Sequence, residues 1–264
     1  MTTLTSTVSR FWRVLLPAGC LVLGLVLVAE PGVAGGAKGP KATFVKGKVS
    51  VGATQDGDFK KLKRGRKVAP GSFVRTGEGA RAELKFPDGS IVRMGPGSLM
   101  HVKESGFDGK TKEVKVETAL IGGKAWANVA KVMGSEAKFR VKTQNAVAGV
   151  RGTVFRVNID KDAATVVKVY NGAVAVSNSP FFTNQAEPKS LGPISKDRKQ
   201  IAAPFQQVSK KEWEQIVQKM MLVRVGADGS MSKASAFTEE EDQLDDAEWV
   251  RWNVACDKGN CNEY

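Results

Sequence analysis

Hydrophobic and polar residues alternate with a period close to two along much of this chain, and that period predicts β-strands. The longest such stretch is residues 138–177, where Phe139, Val141 and Thr143 share one side of a predicted strand. Residues 80–86 show the same alternation, with small or apolar side chains at even positions and charged ones at odd positions. Because successive side chains of a strand point to opposite faces, each segment predicts a strand that is buried on one side.

Turn sequences divide the chain into short strands about ten residues apart. Pro-Asp-Gly at 87–89 and Gly-Pro-Gly at 95–97 interrupt apolar runs, and Asn171-Gly172 separates residues 166–170 from residues 173–176. An Asn-Gly pair between two apolar runs predicts a two-residue β-hairpin. Short strands at this spacing predict an all-β fold, built as a roll, a sandwich or a barrel-like domain.

Two glycines, Gly149 and Gly152, lie three positions apart inside an apolar strand run. Glycine within a strand marks a bend, a bulge or the close approach of another backbone. The pair therefore predicts a tight corner of the β-fold. A second interpretation stays open, in which the glycines border a ligand site and Arg151 binds an anion. The glycine patterns of nucleotide-binding loops do not occur in the sequence.

The segment 149–155, which reads GVRGTVF, and the segment 170–174, which reads YNGAV, resemble the signature of FecR-type periplasmic domains. The upstream segment 74–90, VRTGEGARAELKFPDGS, resembles the first half of the same domain. The resemblance covers residues 42–177 and implies an exported FecR-like β-domain without a single characteristic activity. It also implies structural roles for the motif residues, which are Gly149, Gly152, Thr153, Phe155, Asn171 and Gly172.

FecR-type regulators that signal across the inner membrane carry a cytoplasmic segment before their membrane span, and this segment acts on a sigma factor. Here 13 residues precede an apolar run over 14–29. We therefore expect an exported FecR-like domain without the cytoplasmic anti-sigma segment. Arg10 and Arg13, the apolar run and the small residues that follow it predict a signal peptide over residues 1–34, with an uncleaved N-terminal anchor as the alternative.

The C-terminal third departs from the strand pattern. Prolines interrupt residues 178–225, which predict a loop-rich extension. Within it, Ser209 and Glu212 form a capping-box pattern that predicts a helix near 209–222, packed on the β-body or free to bind a partner. Residues 226–264 are rich in Ser, Gly and Asp before an acidic run, and they predict a largely disordered tail.

Charge is unevenly distributed over a chain whose formal net charge is +13. Residues 226–264 hold three basic and ten acidic side chains, residues 1–34 carry +1, and the body 35–225 therefore carries +19. This asymmetry suggests anionic partners, or a tail that folds back on the body. The densest basic segment, which predicts either an exposed edge strand or a polyanion contact, comprises Lys60, Lys61, Lys63, Arg64, Arg66 and Lys67.

Side chains for catalysis are sparse in this sequence. His101 is the only histidine, and Glu104, three positions later, is expected on the opposite side of a strand. The sequence shows no metal-ligand cluster and no cofactor motif, so we expect a protein that is not an enzyme and that binds neither metal nor cofactor. Cys256 and Cys261 can close a small disulfide loop in an oxidising compartment.

These features predict a non-catalytic binding or scaffolding module of the bacterial cell envelope, either periplasmic or secreted. The expected partner is an envelope protein or an anionic envelope polymer. Nucleic acid is disfavoured because no aromatic residues interleave with the basic segment, and membrane contact requires retention of residues 14–29. Two alternatives remain: an envelope sensor or adaptor that relays a signal through a partner membrane protein, and an envelope hydrolase that uses His101.

Overall fold

Strands dominate the part of the chain that the structure describes. The computed structural model describes residues 39–107, 110, 114–131, 138–178 and 214–261. A single helix in this part, α1, spans Glu239–Asp257. The strands, numbered in chain order, are β1 Lys41–Lys46, β2 Val49–Gly52, β3 Phe59–Lys61, β4 Ser72–Thr76, β5 Arg81–Lys85, β6 Ile91–Met94, β7 Leu99–Phe107, β8 Val114–Gly122, β9 Lys124–Asn128, β10 Lys138–Lys142, β11 Ala146–Val150, β12 Val154–Ile159, β13 Thr165–Asn171, β14 Ala173–Asn178, β15 Glu214–Gln218, β16 Met221–Val225 and β17 Ser235–Ala236.

In the described residues these strands form two open sheets that share one apolar core. The eight-stranded sheet has the order β1-β5-β6-β9-β12-β13-β16-β17, and the nine-stranded sheet has the order β15-β14-β11-β10-β8-β7-β4-β2-β3. Alternate side chains of both sheets fill the core, among them Val74, Leu84, Phe139 and Val169, each at most 2% exposed. The predicted all-β fold is confirmed in its sandwich form, because neither sheet closes on itself as a barrel.

The chain changes sheets at several of its glycine turns. β13 ends at Asn171 in the eight-stranded sheet, and β14 begins at Ala173 in the nine-stranded sheet. The hairpin predicted from Asn171-Gly172 is therefore wrong, because β13 pairs with β12 and β16 while β14 pairs with β11 and β15. A type I′ hairpin turn needs two successive positive φ angles, and here the positive φ falls on Gly172 but not on Asn171.

Replacing Gly172 with alanine is expected to lower the free energy of unfolding by about 2–4 kcal/mol. A Cβ at this position would lie 2.8 Å from Thr153 Cγ2 and 3.1 Å from the Gly152 carbonyl oxygen, at a φ of +81°. Gly65 is the matched control, because its φ of +88° is similar and nothing lies within 4 Å of a Cβ there. Gly65→Ala should cost only about 1 kcal/mol. Urea denaturation measures the free energy of unfolding of both variants. Equal losses would show that the contacts of a Cβ at position 172 have no effect on stability.

The helix predicted near residues 209–222 is wrong where the structure describes it, because these residues lie in β15 and β16. Ser209 and Glu212 lie outside the described residues. A helix would place Ile216 and Val217 on one side, whereas the strand buries Val217 completely and leaves Ile216 55% exposed. Pairing of β15 with β14 and of β16 with β13 decides the conformation, and Met220 turns the chain between them with a φ of 58°.

The disordered tail predicted for residues 226–264 is also wrong in its described part, which contains β17 and α1. Thr238 caps the helix, since its Oγ1 accepts a hydrogen bond from the Glu241 N–H at 3.1 Å and its own N–H donates to Glu241 Oε2 at 2.8 Å. This capping box satisfies two backbone donors of the first turn. The acidic residues of that turn also interact favourably with the helix dipole.

Both sheets continue beyond residue 177, because β15 extends the nine-stranded sheet and β16 and β17 extend the eight-stranded sheet. In its described part, the predicted loop-rich extension therefore supplies strands to the sandwich. The predicted signal peptide or anchor over residues 1–34 lies outside the described residues. Among the helical residues that are described, none form a segment both long and apolar enough to cross a membrane.

Candidate interaction surface

Helix α1 covers the outer face of the eight-stranded sheet through its tryptophans. Trp249 and Trp252 are at most 1% exposed, and they share an apolar cluster with Trp126 of β9 and with Cys256. The Trp252 ring also lies 5.2 Å from the ring of Phe44, centroid to centroid. This face of the sheet therefore forms a second, smaller core beneath the helix.

A row of charged residues crosses the same face. Strand register places Glu83, Arg93, Trp126, Arg156 and Lys168 side by side on five adjacent strands. Arg93 is 1% exposed, and its Nε donates to Glu83 Oε2 at 2.7 Å. Since buried charges are costly unless they are paired, this row requires counter-charges from the element above it.

Asp257, at the C-terminal end of α1, supplies one of these counter-charges. Its Oδ1 accepts from Arg93 Nη1 at 2.7 Å and from Asn128 Nδ2 at 3.0 Å. Its Oδ2 accepts from Trp126 Nε1 at 2.9 Å. One carboxylate therefore joins the helix to β6 and β9.

Asp242, in the first turn of α1, supplies another counter-charge and is itself only 1% exposed. Its Oδ1 lies 3.0 Å from Arg156 Nη2 and 2.9 Å from Lys168 Nζ. Its Oδ2 accepts a hydrogen bond from the Tyr170 hydroxyl at 2.6 Å. Burial raises the pKa of Tyr170 far above its ordinary value, and the neighbouring Asp242 raises it further, so this hydroxyl remains a hydrogen-bond donor.

The acidic tail therefore folds back on the basic body, an arrangement that the charge distribution left open. Further ion pairs join Asp246 to Lys124 and Glu248 to Arg81. Glu248 is 71% exposed, so its pair contributes little to stability. These contacts of the helix are with cations of the eight-stranded sheet.

A disulfide joins Cys256, in the last turn of α1, to Cys261, which lies just beyond the helix. A carboxylate oxygen of Glu83 lies within 4.8 Å of both sulfur atoms, a spacing at which three such groups can hold a metal ion. The two sulfurs are bonded to each other, however, and Glu83 is paired with Arg93. This arrangement therefore offers no thiolate to a metal.

The outer face of the nine-stranded sheet, here called the open face, points away from the shared core and from α1. Ile121 and Ile216 are 38% and 55% exposed on it. Among the side chains that the structure describes on this face, the accessible carboxylates are Glu104 and Glu117, and Glu117 Oε1 lies 2.9 Å from Lys142 Nζ. The described cations of the open face outnumber these two acids; they are Lys61, Arg75, Lys103, Lys115, Arg140 and Lys142.

Aromatic rings lie beside the cations at one end of the open face, in what we call the aromatic–cation row: Phe59, Arg75, Phe73 and His101. The rings of Phe73 and His101 stack with their centroids 4.1 Å apart and their planes 7° from parallel. The Arg75 guanidinium lies 4.0 Å from the centroid of the Phe59 ring. These are stacking and cation–π geometries, which fix the positions of the side chains at the surface.

The imidazole of His101 is expected to titrate below its usual midpoint of 6.5. Burial lowers the pKa of His101, and the positive charge of Lys103 lowers it further, while a backbone hydrogen bond with Gly71 acts in the opposite direction. Because the unfolded chain then takes up the proton first, the contribution of His101 to stability falls as the pH drops through about 6.5.

His101 is the only histidine in the sequence, so proton NMR can follow its titration without assignment. Lys103→Gln should raise the midpoint, whereas Lys161→Gln, at an exposed position between β12 and β13, should leave it unchanged. A midpoint at or above 6.5 in the unmodified protein would contradict the argument from burial.

Glu104 lies on the same face as His101, contrary to the expectation from strict alternation. A bulge between Val102 and Glu104 shifts the register, so that His101 pairs with Ala119 and Glu104 pairs with Glu117. The bulge adds one residue to β7 and thereby turns Glu104 to the other side. The sequence offered no turn residue that would have indicated it.

The basic segment, Lys60–Lys67, forms part of β3 and the loop that follows it. All six of its predicted binding residues are exposed, whereas Leu62 between them is buried. Since β3 is an end strand of the nine-stranded sheet, the segment matches the predicted exposed edge. It also adjoins Phe59 and thus the aromatic–cation row, so its role as a polyanion contact remains a prediction.

Arg151 lies far from the basic segment, because five strands separate β11 from β3 in the sheet. It stands at the corner between β11 and β12 and borders a shallow depression of about 370 Å³, together with Arg140, Gly149 and Ile216. The structure thus contains the predicted corner. Beside the corner lies a depression, and the hypothesis that Arg151 binds an anion would require such a depression.

The other motif residues belong to the framework of the fold. Phe155 is completely buried in the shared core, and Thr153 is 2% exposed beside the corner. Gly152 carries a positive φ at the passage from β11 to β12, and Gly172 carries one at the passage from β13 to β14. The motif therefore marks two places where the chain changes sheets.

Sequence reasoning missed Phe73 and His101 as neighbours of the basic segment. They lie on β4 and β7, and only strand pairing through β2 brings them beside Phe59. Alternation indicates which side of a strand each residue occupies, but it does not indicate which strands are adjacent. The capping pattern Thr238-x-x-Glu241, in contrast, was visible in the sequence and could have indicated α1.

In the part of the chain that the structure describes, the fold and the open face define a two-sheet β-module with one outer face covered by α1 and the other accessible. Residues 72–175 match the family model described as FecR protein, and the chain therefore carries a FecR domain. The match runs from β4 into β14, so α1 and the last three strands lie outside it.

Two solved crystal structures, both of a candidate anti-sigma factor from Parabacteroides distasonis ATCC 8503, are similar to this chain. The structure at 1.65 Å shares 19% identity with a TM-score of 0.43, over 67% of this chain and 64% of that one. The structure at 2.50 Å shares 18% identity with a TM-score of 0.43, over 67% of this chain and 63% of that one. No curated protein matches the sequence.

Proposed function

We propose that the protein is a non-catalytic, exported binding module of the bacterial cell envelope that recognises an anionic partner through its open face. The contrast between the two outer faces carries this proposal. Helix α1 covers the eight-stranded sheet and pairs with its cations, whereas on the open face the side chains that the structure describes include six cations and two accessible carboxylates. Such a surface attracts anions over about 8–10 Å at physiological salt.

The FecR domain supports a role in envelope signalling, and it favours a second candidate function. In that alternative the protein is a sensor or adaptor that relays a signal through a partner membrane protein. Retention of residues 14–29 as an anchor would support this alternative. Cleavage after Ala34 would instead support a periplasmic or secreted module, and mass spectrometry of the N-terminus of the purified protein distinguishes the two.

Site-specific crosslinking in cells tests the proposed surface. A photo-crosslinking amino acid replaces Ile216, which is 55% exposed on the open face, and Leu244, which is 86% exposed on α1, provides the matched control. We expect adducts from position 216 and not from position 244. Absence of adducts from position 216, or adducts from position 244 alone, would contradict the proposal.

The nature of the adduct separates the two candidate functions. A defined membrane protein whose capture survives moderate salt would favour the sensor or adaptor. Capture of envelope polymer that declines as salt screens exposed charges would favour the binding module.

A further inference from the structure

The aromatic–cation row presents ring edges to solvent. Phe73 and His101 are paired across the adjacent strands β4 and β7, and their rings stack face to face. Side chains of a strand stand roughly perpendicular to the sheet, so two rings stacked along the sheet direct their edges outward. The edge of an aromatic ring carries the positive part of its quadrupole, and the ring face carries the negative part. Oxygen atoms are therefore attracted to the edge rather than to the face.

Two cations, Arg75 and Lys61, lie at the end of the row that is nearest the edge of the sheet. Arg75 is held above the Phe59 ring, and its Nη2 donates to the Gln55 carbonyl oxygen at 2.9 Å. Ser50 of β2 pairs with Lys61 on one side and with Arg75 on the other, so the two cations lie on one line across three strands.

Gly52, which has no side chain, lies between two phenylalanines of the row. Gly52 pairs with both Phe59 and Phe73, and a Cβ at Gly52 would lie 3.1 Å from the Phe59 ring. The Phe59 ring therefore leans over the buried glycine and fills the space that a side chain would take at this position.

We propose that this row binds an acidic polysaccharide, with sugar carboxylates at Lys61 and Arg75 and sugar hydroxyls at the ring edges of Phe73 and His101. The proposal rests on the binding function proposed above and names its ligand class. Charge complementarity supports it, because the row adjoins the basic segment Lys60–Lys67 of a body that carries +19. A polymer with one carboxylate per sugar can pair with several of these cations along its length.

Two other ligand classes fit the row less well. Bases of a single nucleic-acid strand stack on open aromatic faces, but Phe73 and His101 cover one face of each other. Insertion into a lipid bilayer requires exposed apolar side chains, and Phe59 and Phe73 are only partly exposed on the sheet.

Binding of polygalacturonate to the full chain, measured by titration calorimetry, tests the proposal. The double variant Lys61→Gln/Arg75→Gln should weaken binding about five-fold, since each exposed charge contact contributes modestly. The control Lys161→Gln/Lys233→Gln removes the same charge from exposed positions outside the row and should weaken binding less than about two-fold. Phe73→Leu, which keeps an apolar side chain but removes the ring, should weaken binding about two- to three-fold.

Neutral dextran and single-stranded oligothymidylate serve as comparison ligands, and unfolding midpoints confirm that the variants fold. Equal losses in the two double variants would overturn the assignment to the row, because only net charge would then matter. Tighter binding of oligothymidylate, weakened by the same variants, would overturn the ligand class in favour of nucleic acid. If polygalacturonate does not bind while Ile216 still yields envelope adducts, the ligand class fails but the proposed function stands.

Discussion

Replacing Asp242 with asparagine is expected to lower the free energy of unfolding by about 3–5 kcal/mol. Asp242 is 1% exposed and is the counter-charge for Arg156 at 3.0 Å and Lys168 at 2.9 Å, both of them buried. Asparagine keeps the shape of the side chain but removes this negative charge from beneath α1. A buried cation that loses its counter-charge is far more costly than a surface ion pair is worth.

Glu240→Gln is the matched control for this change, because Glu240 lies in the same first turn of α1 but is exposed. Its effect should stay within about 0.5 kcal/mol. Urea denaturation followed by circular dichroism measures both variants. If Asp242→Asn and Glu240→Gln lower the free energy of unfolding by amounts that agree within about 0.5 kcal/mol, Asp242 does not have the stabilising role that its burial implies.

The variant Trp252→Ala is expected to lower the free energy of unfolding by about 3–5 kcal/mol. Trp252 is completely buried, and its ring contacts Phe44 and Trp249 with centroids 5.2 Å and 5.3 Å apart. The guanidinium of Arg81 also lies 5.1 Å from the ring centroid. Truncation leaves a cavity between α1 and the eight-stranded sheet and removes a cation–π partner.

Leu244→Ala provides the control for this second change, since Leu244 lies on the same helix but is 86% exposed. Its effect should remain within about 0.5 kcal/mol. Trp252→Phe should recover part of the lost stability, because a smaller ring still fills some of the site. Similar stabilities of Trp252→Ala and Leu244→Ala would show that α1 does not depend on this tryptophan.

The same variants address whether the acidic helix imitates an anionic ligand. Deleting residues 226–264 would remove Trp249 and Trp252 from a buried cluster, so the deletion would confound loss of the fold with exposure of the cations. Trp252→Ala loosens α1 while it keeps the acidic residues in the chain. A gain in polyanion binding by this variant would support imitation of a ligand, and an unchanged affinity would contradict it.

Local patterns in the sequence determined the strands and the fold class. Alternation over residues 80–86 and 138–177 reflects side chains that point to opposite sides of a sheet, and this requirement acts residue by residue. The prediction that residues 80–86 are buried on one side only is wrong, because α1 covers the charged side and buries Arg81 and Glu83 as well. The charge asymmetry between the body and the tail was equally evident from composition. These properties could be predicted because each depends on neighbours within a few positions.

The tertiary structure alone decided which strands became neighbours and what covers each face. Residues 209–222 have apolar side chains at helical spacing. Their described part nevertheless belongs to β15 and β16, because pairing with β14 and β13 stabilises these residues more than a short helix would. The acidic run forms α1 because the helix buries Trp249 and Trp252 against the sheet. The helix also pairs Asp242 and Asp257 with buried cations. The aromatic–cation row likewise exists only after β3, β4 and β7 are brought together, since contacts between segments distant in sequence leave no periodic signal in any one of them.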